Sequence, residues 1–495
     1  MRSSSLLLSA CALAALGTLL AAPQARADDT LTLDGQVPDD GLDHFFVEFE
    51  VPAGIVEIEV LHDDLSEDNI LDWGLLAPGD VFRGWGGGNS ENAVVGLTAA
   101  SRSYLPGPID AGTWKVVIGK AQLGSVDVPY HLVIDLREAG TLPAQPERAP
   151  YVAAAPLSTT PRWFAGDFHV HSRESGDARV DMTFDEIADF ARGRGLDFVA
   201  LSDHNTVSQL DFIVDAQGRH PDVLFVPSVE FTTYDGHANG FGATAWIDHK
   251  IGQPGVTIEG AATAFRDQGA IFSINHPTLD LGDACIGCAW KQPLAPDLIG
   301  AVEVSTGGLD HVTGFLVPAS IQFWDDLCAQ GFHVPAIGGS DDHKGGAEDG
   351  PLSSPIGDPT TLIGASELSV AGLIEAIRAG RTVVKLGNPS DPMVVLSSSA
   401  APVGDTISAP TAMLSAEITG AAGGEVQFVK NGEPQGVTAI TSDPFVAERE
   451  AVAPESGEDR CSVAAPGSRA PLSVAVALGL LAAAFGYARR GRRRE

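Results

Sequence analysis

The segment Asp167-Phe168-His169-Val170-His171-Ser172 decides the fold predicted for this chain. His169 and His171 stand two positions apart at the predicted end of a β-strand, so their imidazole rings should point to the same side. Four later apolar runs each end in another histidine or carboxylate. These runs make sense together if they are strands whose carboxyl ends meet at the two histidines.

The four later strands are predicted at 196–202, 223–229, 270–275 and 334–340. The metal-type side chains that follow them are Asp203, His204, Glu230, His237, His276, Asp341 and His343. A single strand-end histidine is more often a structural hydrogen-bonding residue than a ligand. Five strands with such residues at one end are harder to explain that way, because barrel-type α/β folds gather active sites at this rim. The mixed imidazole and carboxylate set therefore predicts a metal centre for Zn²⁺, Mn²⁺ or Fe²⁺, which remain alternatives.

Helical segments are predicted between these strands. The first begins at Thr183, which is spaced with Glu186 as a capping box, and ends at Gly193 or Gly195. Further helices are predicted at 207–216, 258–268, 320–330 and 370–379. Helices that alternate with nearly all-apolar strands indicate a parallel α/β sheet, closed or open, over residues 162–391.

The regions on either side of this central domain are predicted to be β-structured. Residues 28–138 alternate apolar and polar positions between turn signals, which indicates an antiparallel β-sandwich, and the pattern resembles jelly-roll modules of the prepeptidase-C-terminal type. Residues 139–161 hold five prolines and indicate a semi-rigid linker. Residues 392–452 are predicted to form a small β module with a hairpin turn at Asn431-Gly432.

The two ends of the chain carry sorting signals. Residues 1–27 combine an early arginine, an apolar run and a final A-x-A site, which predicts a signal peptide. Residues 453–469 are a spacer that contains Cys461, and residues 470–495 begin with an apolar run just long enough to cross a bilayer. This tail is either a permanent membrane anchor or a processing signal, because a cysteine before an apolar run and terminal arginines resembles the MYXO-CTERM class. Either alternative predicts an exported protein.

The composition argues against one class of partner. Lysine and arginine number 30 against 65 aspartates and glutamates, a formal net charge of −35. Although a solvated surface explains most of this charge, it also repels polyanions, so nucleic acid is not an expected partner. Cys285 and Cys288 are spaced C-x-x-C without a second such pair. In an exported chain they predict a small disulfide rather than a zinc half-site.

The order of the motifs resembles a known superfamily. H-x-H-S, S-D-H-N-T, E, G-H, N-H-P and S-D-x-H follow one another over about residues 162–390, as in the polymerase-and-histidinol-phosphatase (PHP) superfamily of metal-dependent hydrolases. The stretches 230–239 and 381–385, with the flanking β modules, resemble its CehA/McbA-like branch. The resemblance implies a distorted seven-stranded (β/α)7 barrel that holds two or three divalent ions.

The resemblance also implies a role for each motif residue. His169, His171 and Asp341 would hold one ion with Glu230, which would bridge to a second ion. The remaining implied ligands are His237 and His276 for that second ion and His204 and His343 for a third. Members with three metals supply a further histidine soon after H-x-H-S, and the candidates for that place here are Glu174 and Asp177.

The expected chemistry is hydrolysis by a metal-bound hydroxide, with Asp203 or His204 as the proton carrier. Asp203 could instead support the ligands from behind, and Asn205 replaces an aspartate of many relatives. Glu303, His249 and His311 fit no motif and are expected to be structural.

The expected substrate is a small molecule with a phosphoester bond, whose phosphate could pair with Arg173, Lys344 or Lys385. Hydrolysis of a carbamate, amide or ester is the alternative that the branch suggests. A second alternative is a surface binding protein that uses the same scaffold without catalysis.

Overall fold

The computed structural model describes residues 29–452 apart from 64, 66–68, 125–127, 283–284, 308–311 and 348–353. The predicted signal peptide, the spacer with Cys461, the C-terminal tail and His311 therefore lie outside the described residues. Within the described part of the chain, no helix is both long enough and apolar enough to cross a membrane.

The N-terminal region is an antiparallel β-sandwich. Its strands β1 to β8 are Thr30–Gln36, His44–Val51, Glu57–Asp63, Ile70–Ala77, Val81–Gly87, Ala93–Gly96, Gly112–Gln122 and Pro129–Arg137. They form two four-stranded sheets with the strand orders β1-β8-β3-β6 and β2-β7-β4-β5. Inward-facing residues of both sheets, such as Phe49, Ile58 and Trp114, share one buried core. The predicted alternation of apolar and polar positions thus corresponds to the two faces of each sheet.

The central region alternates strands and helices. Its strands β9 to β18 are Arg162–Val170, Phe198–Leu201, Leu224–Pro227, Glu230–Thr233, Gly236–Phe241, Ile271–Ile274, Ala301–Thr306, Ala336–Gly339, Thr360–Ala365 and Thr382–Lys385. Its helices α1 to α5 are Phe184–Arg194, Leu210–Arg219, Ile258–Asp267, Val317–Ala329 and Val370–Arg378. Each of the five strands and five helices predicted here from the sequence has a counterpart.

The first helix shows why the local prediction succeeds. The Thr183 side chain accepts from the Glu186 amide and the Glu186 carboxylate accepts from the Thr183 amide, which completes the predicted capping box. Gly195 then ends the helix with a φ of 80°, a conformation that glycine adopts without steric cost. Apolar residues at helical spacing, including Ile187 and Ala191, are buried against the sheet.

The closed seven-stranded barrel is not found among the described residues. The strands form two five-stranded sheets with the orders β11-β10-β9-β17-β18 and β12-β13-β14-β15-β16. Single parallel bridges, Val170 with Asp342 and His204 with Glu230, connect the two sheets. Nor is the sheet fully parallel, because β12 and β13 form a tight hairpin that leaves no room for a crossover helix. His237 lies on the second strand of that hairpin.

The C-terminal region is a small β module. Its strands β19 to β23 are Met393–Ser398, Thr411–Thr419, Glu425–Lys430, Glu433–Ala439 and Phe445–Val452. Three of them form the sheet β19-β20-β23, and β21 pairs with β22. Asn431 and Gly432 both have positive φ, 51° and 76°, between β21 and β22, so the predicted hairpin turn is confirmed.

Candidate metal centre

The two histidines of the opening segment lie at the carboxyl end of β9. Both are fully buried, and their Nε2 atoms are 3.2 Å apart. Asp167 holds this end of the strand in place, because its Oδ1 accepts from the amides of His169 and Ser340 and its Oδ2 accepts from the amide of Gly357. Burial raises the pKa of Asp167 to about 6, and the amide hydrogen bonds lower it again. Asp167 is therefore a structural residue that fixes the two rings.

Asp341 and Glu230 face these rings. Asp341 Oδ1 lies 3.1 Å from the Nε2 of His169 and 3.0 Å from the Nε2 of His171. Glu230 Oε2 lies 3.3 and 3.4 Å from the same two nitrogens. One ligand atom from each of the four residues lies within 4.8 Å of the others. This first cluster matches the expected first ion position.

The second carboxylate oxygen of Glu230 faces another group of side chains. Its Oε1 is 3.2 Å from His237 Nδ1, 3.4 Å from His276 Nε2 and 3.0 Å from Asn275 Nδ2. The β12–β13 register pairs Glu230 with Asn239, so His237, two residues away, lies on the same face of the hairpin. The structure therefore places Glu230 between two groups of histidines, as the bridging role requires.

A third cluster lies beside the first. It contains His171, His204, His343 and Asp177. Asp177 Oδ2 is 3.3 Å from His204 Nε2 and 3.1 Å from His343 Nε2. Glu174, the other candidate for this place, turns away, because its Oε2 accepts from the Ser103 amide of the N-terminal sandwich. Of the two carboxylates, Asp177 is the one that reaches the centre.

The second ring nitrogen fixes the orientation of each histidine. His276 Nδ1 faces the Cys288 carbonyl at 3.1 Å and His343 Nδ1 faces the Asp341 carbonyl at 2.8 Å. A carbonyl only accepts hydrogen bonds, so both Nδ1 atoms carry a proton, and in the neutral form of each ring Nε2 has the lone pair that can bind a metal ion.

The same reasoning applies to two more rings. The Ser175 hydroxyl donates to Asp177 Oδ1 and therefore accepts from His171 Nδ1 at 3.1 Å. The Thr232 hydroxyl donates to the Glu230 carbonyl and accepts from His204 Nδ1 at 2.6 Å. These rings also turn an Nε2 lone pair toward a carboxylate.

Glu303, which fits no motif and was expected to be structural, contacts a ligand of the centre. The fully buried Glu303 lies on β15, and its Oε2 accepts from His169 Nδ1 at 3.1 Å. A carboxylate behind a metal-binding histidine fixes the tautomer and raises the basicity of the ring. The signal in the sequence was a lone acidic residue inside the apolar run Ala301-Val302-Glu303-Val304.

Asp203 lies behind the ligands. It is fully buried, and its two oxygens accept from the amide and the hydroxyl of Ser172, each at 2.6 Å. Burial raises its pKa to about 7, and the Ser172 hydrogen bonds lower it again. Asn205 bonds both backbone groups of Thr232, each at 2.9 Å, which an ionised aspartate could not do because it has no donor. These contacts favour a positioning role for Asp203, while its role as proton carrier stays a prediction.

The cationic groups of Arg173 and Lys385 are engaged away from the ligands. The Arg173 guanidinium packs over the Phe212 ring at 4.8 Å and pairs with Glu147 and Glu174. Lys385 Nζ donates to the Pro389 and Asp391 carbonyls, at 2.7 and 2.8 Å. The Lys344 amide donates to Asp342 Oδ1 at 3.1 Å. A phosphate-binding role for Arg173 and Lys344 thus remains a prediction.

The centre is strongly coupled electrostatically. Burial alone raises the pKa of Glu230, but His169 and His204 more than offset this and hold the pKa well below its usual range. In the same way burial lowers the pKa of His169, but Asp341, Glu230 and Glu303 raise it well above its usual value. Burial, together with the nearby His343 and His204, lowers the pKa of His171 to about 3. The carboxylates thus stay ionised, and in the metal-free centre protonated histidines balance their charge.

Cys285 and Cys288 are joined in a disulfide. Cys288 lies near His237 and His276, but in the disulfide its sulfur is not a thiolate ligand. A cavity of about 260 Å³ lies elsewhere, between α4, β18 and the C-terminal module, and none of the described residues that line it is a candidate ligand.

No protein-family model matches this sequence, and no curated protein matches it either. Solved structures that it resembles include a two-domain protein from Bacteroides vulgatus that contains a predicted PHP-like metal-dependent phosphoesterase. That protein is 18% identical over 62% of this chain and 90% of its own, with a TM-score of 0.34.

Two other solved structures are enzymes. The lesion-specific endonuclease EndoQ from Pyrococcus furiosus is 15% identical over 45% of this chain and 58% of its own, with a TM-score of 0.30. An amidohydrolase from Chromobacterium violaceum is 18% identical over 38% of this chain and 93% of its own, with a TM-score of 0.25. At these TM-scores the function has to be inferred from the centre itself.

Proposed function

We propose that this protein is a metal-dependent hydrolase whose active site is the cluster at the carboxyl ends of β9, β10 and β16. The observation that carries the proposal is the orientation of the histidines. His169, His171, His204, His276 and His343 each turn Nε2 toward a carboxylate oxygen at 3.0 to 3.4 Å. In each ring Nδ1 has its own acceptor. With Nδ1 protonated, Nε2 is the atom that each neutral ring offers to a metal ion, and the facing carboxylate would be a second ligand of the same ion.

Buried atoms without hydrogen-bond partners also indicate that these residues fit a metal ion. Among the described residues, Glu230 Oε2, His237 Nε2 and His343 Nε2 are buried and have no hydrogen-bond partner. Such atoms cost free energy in a protein interior unless they bind something. Glu230 Oε2 and His343 Nε2 are the atoms with which these two residues would ligate a metal. The donor set, imidazole and carboxylate, suits Zn²⁺, Mn²⁺ or Fe²⁺.

The ligands divide into three positions. The first is His169, His171, Glu230 and Asp341; the second is Glu230, His237 and His276; the third is His171, Asp177, His204 and His343. Divalent ions held there would lower the pKa of a water molecule and polarise the bond to be cleaved. The chain itself orients the ligands: Glu303 holds His169, Ser175 holds His171, and Thr232 holds His204.

Substrate reaches the centre from the side of the third position. The side chains of His169, His171 and Glu230 are 0% exposed. By contrast, those of Asp177 and His343 are 55% and 24% exposed. The scissile bond therefore binds next to the third position, with the first position as the closed floor of the site.

A phosphoester is the substrate class that we favour. Neighbouring cation positions can hold both the attacking and the leaving oxygen of an in-line displacement at phosphorus. The formal net charge of −35 favours a small phosphoester over nucleic acid.

Hydrolysis of a carbamate, amide or ester is the second candidate. It is favoured by the engagement of Arg173 with Glu147 and Glu174 and of Lys385 with backbone carbonyls. These two cations would not have to leave their partners for an uncharged substrate.

We also propose that the protein is exported and that its C-terminal tail reaches the membrane. The support is the sequence of residues 1–27 and 470–495.

The test is a paired assay on the full chain loaded separately with Zn²⁺ and Mn²⁺. It compares bis(p-nitrophenyl) phosphate and p-nitrophenyl phosphate with a naphthyl N-methylcarbamate. Phosphate turnover is expected, and it should be lost in His169→Ala. His131→Ala is the matched control, because His131 pairs with Asp34 on a strand of the sandwich.

The outcomes separate the candidates. Turnover of the carbamate alone would replace the phosphoesterase proposal with the second candidate. Metal binding without turnover of any substrate would overturn the hydrolase and favour a binding protein. Turnover that survives in His169→Ala would show that the activity does not come from this centre.

A further inference from the structure

The loop that follows β9 is covered by the N-terminal sandwich. Residues 171–183, all of which the structure describes, form no helix or strand. Arg102 of the sandwich donates from Nη1 to the Ser175 and Ala178 carbonyls, at 3.0 and 2.9 Å, and from Nη2 to the Gly176 carbonyl at 2.7 Å. The Arg102 side chain is 12% exposed, and its Nε donates to Glu91 at 2.5 Å. One guanidinium thus binds three backbone carbonyls of the loop and connects the loop to the other domain.

Two further contacts press the loop against the sandwich. Ser103 donates from its amide to Glu174 Oε2 at 3.1 Å and from its hydroxyl to the Glu174 carbonyl at 2.6 Å. A Cβ at Gly176 would lie 2.0 Å from the Gly86 carbonyl oxygen, so the two backbones touch without room for a side chain. The loop is therefore packed closely against the sandwich by both hydrogen bonds and backbone contact.

The same loop carries part of the metal centre. Asp177 reaches His204 and His343, and Ser175 holds both His171 Nδ1 and Asp177 Oδ1. Arg102 bonds the carbonyls of Ser175 and Ala178, one on each side of the Gly176-Asp177 pair. A shift of this loop would remove Asp177 from the third position, whereas His169, Glu230 and Asp341 of the first position lie outside the loop.

We propose that the N-terminal β-sandwich completes the metal centre, with Arg102 as a positioning residue that holds Asp177 at the third position. This inference rests on the proposed metal centre, but it does not depend on which bond is cleaved. It gives the sandwich a role in the reaction instead of a separate binding task.

The test measures metal content as well as activity. The full chain and its Arg102→Lys variant are stripped with a chelator, reloaded with Mn²⁺ or Co²⁺, and assayed for ions per chain and for the affinity of each ion. Lysine keeps the charge and loses the planar fork that binds several carbonyls. We expect the ion at the third position to bind about 10- to 100-fold more weakly, the range typical for residues that support ligands, with the other ions unchanged. Asp177→Asn should give the same pattern.

Arg83→Lys is the matched control. Arg83 lies in the same domain and also binds backbone carbonyls, those of Leu105, Gly107 and Pro108, but these belong to the sandwich itself. A second pair of variants tests the same inference in case the Arg102→Lys protein does not fold. Gly176→Ala should displace the loop and weaken the same ion, while Gly193→Ala, where an added Cβ meets nothing within 4 Å, should not.

Three results would overturn the inference. They are an unchanged affinity for every ion in Arg102→Lys and Gly176→Ala, an equal loss of all ions in Arg102→Lys and Arg83→Lys, or a native protein that binds no ion at the third position. Failure of the proposed hydrolase looks different, because ions would then bind with the expected pattern and no substrate would turn over.

Discussion

The first and third metal positions contrast in how they are built. The ligands of the first position, His169, His171, Glu230 and Asp341, lie in or directly after strands of the central region. The third position takes Asp177 from a loop with no regular structure, and another domain holds that loop. Three ligands of the first position are fully buried and Asp341 is 21% exposed, whereas Asp177 is 55% exposed. A site can thus combine a rigid floor that one domain builds alone with an open side that needs a second domain.

The contrast predicts that the first position, the floor of the site, is required for metal binding and activity. The third position, the open side, should tolerate substitution better. The hydrogen bonds of the sheet fix the position of a residue in a strand. The position of a residue in a loop depends on the contacts that hold the loop. Substitutions at the floor should abolish metal binding at more than one position. Substitutions at the open side should change one ion and the rate.

The largest effect is expected for Glu230→Gln. Glu230 faces the first cluster with Oε2 and the second with Oε1, so loss of its charge should empty both positions. We expect kcat/KM to fall by about 10³-fold or more, several kcal/mol of transition-state stabilisation. Ions per chain and steady-state rates check this, with Glu259→Gln on the exposed face of α3 as the control. Retention of both ions would show that Glu230 does not bridge them.

A smaller effect is expected for Glu303→Gln. The amide still occupies the space beside His169, but it no longer provides an ionised acceptor for Nδ1. Loss of such a partner weakens metal affinity about 10- to 100-fold. Titration of the metal-free protein with Zn²⁺ measures this, and the third position should be unaffected. An equal weakening at the third position would contradict the division into floor and open side.

The floor could be predicted from the sequence because its ligands stand at strand ends. His169, Glu230, His276 and Asp341 each follow an apolar run, and the direction of a strand determines where its end lies. His276 and Asp341 have φ values of 25° and 60°, a conformation that L residues seldom adopt and that turns the chain sharply after the strand. No composition signal reveals that turn.

The open side could not be predicted because its determinants are distant in the sequence. Glu174 and Asp177 are both carboxylates in one loop, and only the contacts with Ser103 and Arg102 decide which of them faces the histidines. Glu303 was missed for a related reason, since its partner His169 is 134 positions away. The two-sheet arrangement was missed because a hairpin such as β12–β13 satisfies the same apolar pattern as a parallel strand.

A contact between the two domains that lies outside the loop should affect stability alone. Tyr234 donates from its hydroxyl to the partly buried Asp72 at 2.6 Å. Burial raises the pKa of Asp72 to about 6, although the Tyr234 hydroxyl lowers it. Tyr234→Phe leaves this carboxyl without its donor, which should reduce the free energy of unfolding by about 1–2 kcal/mol. Urea denaturation measures the loss. A change in ions per chain would mean that every domain contact, not only Arg102, shapes the centre.

The smallest effect concerns Glu57, which lies in the sandwich and has no contact with the metal loop. Burial raises its pKa, but hydrogen bonds from Thr141 and Arg137 more than offset this and place the pKa below its usual value of 4.5. The stabilisation is therefore present above the pKa of the unfolded chain and is lost as the pH falls through the lower pKa of the folded state. We expect Glu57→Gln to lower stability by about 1 kcal/mol at pH 7, with the difference from the native protein disappearing in acid. Urea denaturation at pH 7 and below pH 4 tests this on the metal-free protein. Since the sandwich also positions Asp177, a loss of ions in Glu57→Gln would show that its overall stability, rather than the grip of Arg102, controls the third position.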